Sequence, residues 1–258
     1  MKTLLILVDG MRPDALANCK TAQQVMANSV YTLNAQTVMP SVTLPCHVSL
    51  FFGVKPERHG TVSNTYTPPA RPILSVCDTL AIEKKNVAFF YSWGQLRDLC
   101  HPASLAHSLL IKGAYHGWEK ANDRLTDAAI DYIKETDPDL TFLYLGYPDE
   151  AGHAHGWMGE EYMYALENSW KNIARIIEAI PKEYAVIITA DHGGHDHTHG
   201  TDSPEDMTIP LIFAGAEREQ VGNLDNVSII DIAPTIAALA GMQADPEWEG
   251  KSLLTGAQ

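Results

Sequence analysis

The chain of 258 residues is 45% hydrophobic and 19% charged, which fits a globular protein built as one large α/β domain. A formal net charge of −14 argues against a nucleic-acid polymer as partner, because such binding rests on basic surface. The same charge leaves room for a small phosphorylated substrate, provided that bound cations reverse the local field.

The opening MKTLLILVDG carries a lysine and an apolar run, but the run from Leu4 to Val8 is shorter than the roughly 7–15 residues of a signal-peptide core. No stretch approaches the ~20 apolar residues of a membrane span, so no membrane partner is expected. Four widely spaced cysteines, Cys19, Cys46, Cys77 and Cys100, form no CxxC pair and suit reduced thiols in a cytoplasmic protein.

TLLILV (3–8) is a continuous apolar run ending at Asp9-Gly10, which predicts a strand buried on both faces. A helix is expected after Pro13-Asp14. NVAFFYS (86–92), LTFLYLG (140–146), YAVIITA (184–190) and IPLIFAG (209–215) repeat the strand pattern. The clearest helical segments between them are 119–135 and 160–180, and a last helix is expected at about 231–241. This alternation predicts a largely parallel sheet covered by helices on both faces. The stretch 60–77 reads as a loop, and 93–118 reads as a small insertion near the site within a single domain spanning 1–258.

Ligands of parallel sheets collect outside the carboxyl ends of the strands. Asp9, the Asp149 region and Asp191-His192 all follow predicted strands, so three strand ends deliver acidic or imidazole groups to one edge. In YPDEAGHAHG (147–156), Asp149 and His153 stand four residues apart and share a face if the segment is helical. Such a pair taken alone is more often a surface feature. ADHGGHDHTHG (190–200) adds His192, His195, His197 and His199, a cluster that is either a solvated loop or one wall of a metal site. Asp9, Asp149, His153, Asp191, His192 and one later histidine make a mixed oxygen and nitrogen donor set, which suits catalytic rather than structural zinc.

VDGMRPD (8–14), MPSVTLPCHVSLFFGVKPERHG (39–60), DEAGH (149–153) and DHGG (191–194) occur in this order. In that order they resemble the alkaline phosphatase superfamily, and within it the type I phosphodiesterase/nucleotide pyrophosphatase branch. The resemblance runs from residue 6 to the closing IIDIAPTIAALAG and WEGKSLL segments. It implies an alkaline-phosphatase-like fold and a phosphoryl-transfer enzyme with two Zn²⁺ ions, or Mn²⁺ or another divalent ion in their place. One ion would take Asp9, Thr43, Asp191 and His192. The other would take Asp149, His153 and His199, with His195 and His197 as competitors because an extended segment would point all three the same way.

The resemblance also makes Thr43 the nucleophile of a phospho-threonine mechanism, whereas composition alone would make it a helix N-cap. Asn64, twenty-one positions later, would donate to a phosphoryl oxygen; otherwise it reads as a turn residue. Cys46 reads as a packing residue, His59 as structural, and Arg12 as a residue that orients Asp9 or packs beside it rather than touching substrate. Tyr66, Trp93, Tyr115, Trp118 and Trp157 are candidates for stacking on a nucleotide-like substrate. Phosphomonoesterase, phosphonate hydrolase and phosphomutase activities are the alternatives, mutases of the group usually carrying a large inserted domain; a non-catalytic metal-binding module is a further one.

Overall fold

The computed structural model describes residues 1–256 of the chain. Its first strand, β1 (Thr3–Val8), is the expected TLLILV run, and all six residues are buried. Where a helix was expected after Pro13, a short 3-10 turn (Asp14–Asn18) leads into α1 (Lys20–Met26) and β2 (Val30–Gln36). Three helices follow, α2 (Thr43–Phe52), α3 (Pro56–His59) and α4 (Val76–Ile82), and then β3 (Val87–Tyr91). β4 (His107–Leu110), α5 (Gly113–His116) and α6 (Trp118–Thr136) lead to β5 (Leu140–Leu145). Beyond it lie α7 (Tyr147–His155), α8 (Glu160–Ala179) and β6 (Ala185–Thr189). The chain closes with α9 (Pro204–Met207), β7 (Thr208–Phe213) and α10 (Ile232–Leu239).

The strands form one sheet in the order β2-β7-β6-β1-β5-β3-β4. β1 runs parallel to β5 and β6, and β3 runs parallel to β5 and β4. β7 is antiparallel to β6, and β2 is antiparallel to β7. The largely parallel α/β class read from the alternating pattern is therefore the class observed. The two strands that the pattern does not announce are the two edges. β2 is mostly exposed and carries Thr32, Asn34 and Gln36, while β4 has only four residues. Neither needs a continuous apolar run, because an edge strand has one open side. β4 falls within 93–118, so that irregular segment supplies part of the sheet.

Two groups of helices cover the sheet. α1, α6, α7 and α8 pack with one another, and α2, α4 and α10 form the second group. α6 buries Ala121, Leu125, Ala129, Ile130 and Ile133, an apolar stripe at helical spacing, and leaves most of its charged residues to solvent. α2 is held to the sheet by Phe51, whose ring lies 5.0 Å from Phe142 on β5 and 5.3 Å from Phe89 on β3. That anchor fixes the far end of the helix, Thr43, relative to the strands. The register pairs Val8 with Leu145 and Leu7 with Thr189, so the residues after β1, β5 and β6 emerge at one edge.

His59, at the end of α3, is buried and neutral. Its Nδ1 accepts from the Thr61 N–H at 3.1 Å, so Nε2–H donates to Ser49 Oγ at 3.0 Å. Burial lowers its pKa to about 4. The unfolded chain then binds the proton more readily, so the contribution of His59 is present at neutral pH and is lost as pH falls from about 6.5 towards 4. Between pH 7 and pH 5 this residue is expected to remove about 2 kcal/mol of stability. Urea titrations in metal-saturated buffer check this; His59→Gln should flatten the pH slope, and an unchanged slope would show that the ring titrates elsewhere.

Candidate active site

Asp9 extends β1, its N–H donating to the Leu145 carbonyl at 3.1 Å. Its Oδ2 accepts from the Tyr144 hydroxyl, and its Oδ1 is buried with no hydrogen-bond partner. The next residue is Gly10 for a steric reason. It has φ +67°, and a Cβ there would come within 3.1 Å of the Asp149 backbone. Asp191, just past β6, is wholly buried. Its Oδ1 accepts from the N–H groups of Gly10 (3.3 Å) and His192 (3.0 Å), while its Oδ2 has no hydrogen-bond partner. Asp149 and His153 lie one turn apart on α7, as the spacing predicted.

Three histidines present Nε2 to these carboxylates. The Nδ1–H of His192 donates to the Gly193 carbonyl (2.8 Å), that of His153 to the His197 carbonyl (2.9 Å) and that of His199 to the Ser41 carbonyl (2.8 Å). Each ring is thereby fixed with an unprotonated Nε2, the arrangement of a metal-binding imidazole. His192 Nε2 lies 3.4 Å from Asp9 Oδ1, 3.3 Å from Asp191 Oδ2 and 3.2 Å from Thr43 Oγ1. Asp149 Oδ2 lies 3.6 Å from His153 Nε2, and its Oδ1 lies 3.7 Å from His199 Nε2. The His192 and His199 rings stack with centroids 3.7 Å apart.

Of the three histidines in the HDHTH loop, only His199 joins this group. The segment is not extended. Asp196 adopts φ 46°, and His195 and Thr198 exchange backbone hydrogen bonds, so the chain folds back on itself. His195 consequently points to buried Asp206, with Nδ1 2.8 Å from Oδ1, and His197 Nδ1 meets the His153 carbonyl.

Thr43 is the first residue of α2, and Val42 occupies the cap position, so the threonine is not an N-cap. Its hydroxyl stands at the positive end of the helix. Asn64 Oδ1 accepts from the Leu44 N–H at 3.0 Å, which brings the side chain to the same helix end and leaves its NH₂ group without a partner among the described residues. Arg12 does not orient Asp9 through a hydrogen bond: its guanidinium holds Asp14 and the Gly194 carbonyl. Cys46 is buried, and burial raises its pKa, in keeping with a packing role. Trp157 is not free to stack on a substrate either. It is buried, its Nε1 donates to the Gly10 carbonyl at 3.0 Å, and its ring meets His153 edge-on.

Burial pushes Asp9 and Asp149 well above the usual carboxylate range, and neighbouring carboxylates push them further. Burial likewise raises Asp191 to about 7. His199 falls to about 3 and His192 also falls, again chiefly through burial. Among the described residues no lysine or arginine pairs with the three carboxylates. Unpartnered buried carboxylate oxygens beside deprotonated imidazole nitrogens fit divalent cations and little else.

Residues that the sequence did not single out complete the site. Tyr144 holds Asp9, and the buried His47 ring donates from Nδ1 to the Thr43 carbonyl at 2.8 Å. Asp206 ties the loop by accepting from Thr201 N and Oγ1 and from His195. Tyr144 offered one faint signal, a polar hydroxyl within the apolar run LTFLYLG.

The donor set at the carboxyl edge of this sheet defines the class, a metal-dependent enzyme with an alkaline-phosphatase-like fold. The chain belongs to the Metalloenzyme superfamily, whose pattern matches residues 82–244. The family described as type I phosphodiesterase / nucleotide pyrophosphatase matches residues 3–87. Among similar proteins, the 2,3-bisphosphoglycerate-independent phosphoglycerate mutase of Haloquadratum walsbyi is 31% identical over 148 residues, covering 52% of this chain and 28% of the mutase. Rat ectonucleotide pyrophosphatase/phosphodiesterase family member 7 is 23% identical over 220 residues, covering 74% of this chain and 49% of that protein. Matches to these relatives thus span about a quarter to a half of their lengths. Murine ectonucleotide pyrophosphatase/phosphodiesterase 5 shares the fold, with a TM-score of 0.77 at 16% identity over 99% of this chain and 100% of that chain. That protein has also been solved as an inactive threonine-to-alanine variant in complex with AMP, with a TM-score of 0.76 at 15% identity over 95% of this chain and 96% of that one. No helix among the described residues is long and apolar enough to cross a membrane.

Proposed function

We propose that the chain is a single-domain, two-metal hydrolase that transfers the phosphoryl group of a small phosphodiester, with Thr43 as nucleophile. The observation that carries this reading is the Thr43 hydroxyl, 3.2 Å from the bare Nε2 of His192, the same nitrogen that the unpartnered oxygens of Asp9 (3.4 Å) and Asp191 (3.3 Å) approach. Asp9, Thr43, Asp191 and His192 would hold one cation, and Asp149, His153 and His199 the other. Zn²⁺ suits these donors, and Mn²⁺ is compatible with them. Bound there, such cations would lower the pKa of the Thr43 hydroxyl and offset charge on the phosphoryl oxygens.

Thr43 Oγ then attacks phosphorus and the bond to the leaving oxygen breaks as the Oγ–P bond forms; the hydroxyl proton passes to solvent and the leaving oxygen takes one up, so the first product departs as an alcohol. Water hydrolyses the resulting phospho-threonine and restores the hydroxyl. The end of α2 favours the negative charge that gathers at this point. Asn64 donates its NH₂ to a non-bridging oxygen, and a neutral donor suits the single charge of a diester. The phosphodiesterase family match supports the reading, since it includes both Thr43 and Asn64. Four buried thiols suit a reducing compartment, and we assign the enzyme to the cytoplasm.

The second reading is phosphomonoester chemistry or phosphoryl transfer of the mutase kind, favoured by the relatives named as mutases. A panel of bis(p-nitrophenyl) phosphate, p-nitrophenyl phosphate, an aryl phosphonate and 3-phosphoglycerate separates these. The diester is expected to show the highest kcat/KM, and Asn64→Ala to slow it by ~10²–10³-fold. Preference for the monoester, or isomerisation of phosphoglycerate, would overturn the phosphodiesterase reading and leave the metal site standing.

A further inference from the structure

We infer that Cys77 and Cys100 form a peroxide-sensitive thiol pair, whose closure to a disulfide clamps two walls of a surface cavity together. All four cysteines are free and buried, but they are not equivalent. The Cys19 thiol donates to Glu167 at 3.1 Å, and the Cys46 thiol faces the Val38 and Pro40 carbonyls. Cys77 is the second residue of α4 and is wholly buried. Cys100 lies between two 3-10 turns, Gly94–Asp98 and Pro102–Ser104, and is 8% exposed.

The residue that follows each cysteine ties the two segments together. Asp78 Oδ1 accepts from the His101 N–H at 3.0 Å and from the Ser104 hydroxyl. Its Oδ2 accepts from the N–H and the hydroxyl of Ser75, which fixes the carboxylate at the start of α4. This tether lays Cys100 against the first turn of the helix, where its sulfur meets that of Cys77. Burial raises the pKa of the Cys77 thiol, and the contact with Cys100 raises it further. Cys77 therefore keeps its proton and suits the second of two steps, with Cys100 as the group attacked by oxidant.

Cys100 also lines a cavity of about 340 Å³, together with Phe52, Tyr66, Pro72, Ile73 and His101. A peroxide entering there meets Cys100 before Cys77. The Cys100 thiolate attacks one peroxide oxygen, the O–O bond breaks, and the displaced hydroxide leaves as water with the thiol proton. Cys77 sulfur then attacks the sulfenic acid on Cys100. The S–S bond forms, the S–O bond breaks, and the second hydroxide leaves as water with the Cys77 proton. Two thiols are oxidised and one peroxide is reduced to two waters. Pro72 and Ile73 lead directly into α4, so the new bond joins their wall of the cavity to the wall that carries Cys100 and His101.

Reduced, Zn²⁺-loaded protein treated with hydrogen peroxide, then with catalase, and alkylated with N-ethylmaleimide in denaturant tests this by mass spectrometry. Wild type should carry two maleimide adducts in place of the four of the reduced chain, and dithiothreitol should restore all four. Peptide mapping should place the disulfide between Cys77 and Cys100 of one chain. Hydrogen exchange over 94–104 should slow in the oxidised protein, because the clamp holds that segment to α4. Cys77→Ser should accumulate a sulfenic acid at Cys100 that dimedone traps, and Cys100→Ser should keep its remaining thiols. Four adducts after peroxide, sulfinic acid at Cys100 without a disulfide, a bridge to Cys19 or Cys46, or unchanged exchange over 94–104 would each overturn the proposal. The wild-type peptide map decides the matter even if neither serine variant folds.

Discussion

Thr43→Ala is expected to lower phosphodiester turnover by ~10³-fold or more, while the protein keeps its fold and most of its metal. The side chain is only 5% exposed, at the first residue of a helix fixed at its other end by Phe51. Removing Oγ and the methyl group leaves that anchor, the Asn64 contact to the Leu44 N–H and the other donors in place. Circular dichroism and metal content should therefore stay near wild type as the rate collapses. Thr43→Ser should retain substantial activity, because the attacking oxygen remains. An alanine variant that turns over at the wild-type rate would mean that water attacks phosphorus directly and that no covalent intermediate forms.

Removing the cations should have an effect of similar size. Asp9, Asp149 and Asp191 carry three carboxylates into a site where, among the described residues, no lysine or arginine pairs with them, and burial resists their ionisation. On the two-cation reading, two divalent cations would offset three carboxylates and leave a net charge of +1, which a Thr43 alkoxide would bring near zero. Chelation is expected to reduce hydrolysis to background, and Zn²⁺ to restore it with about two ions per chain. Thermal stability should also fall on chelation, since ions held by the native state alone stabilise it by mass action. Full activity in protein shown to be metal-free by elemental analysis would refute the mechanism.

Much of the central sheet was legible in the sequence because its strands are buried on both faces and must be apolar without interruption. The acidic and imidazole residues placed just after those runs could be traced to one edge for the same reason. β2 and β4 escaped because an edge strand is not obliged to carry that pattern. The ambiguity among His195, His197 and His199 had a different origin. Side-chain direction there depends on a reversal at Asp196, a residue in the left-handed region, and the choice is then made by Asp206 and the Ser41 carbonyl. The roles of Tyr144 and His47 were harder to read. Tyr144 acts on Asp9, a residue distant in sequence, and a hydroxyl inside an apolar run was its one faint sign; His47 acts through the Thr43 carbonyl within its own helix, and its residue type gives no sign of that contact.

The carbonyl groups that orient His153, His192 and His199 belong to His197, Gly193 and Ser41. A side chain asked to do this work would be lost with a single nucleotide change; a peptide carbonyl is present whatever residue occupies the position. Ser41 can therefore become alanine without releasing the His199 ring, and His197 can change without freeing His153. Tolerance is narrower at Gly193, where a Cβ would collide with the Glu205 carbonyl. The inward aim of the three nitrogens is thus a property of the chain's path, and sequence around the loop can drift while the cradle it forms persists.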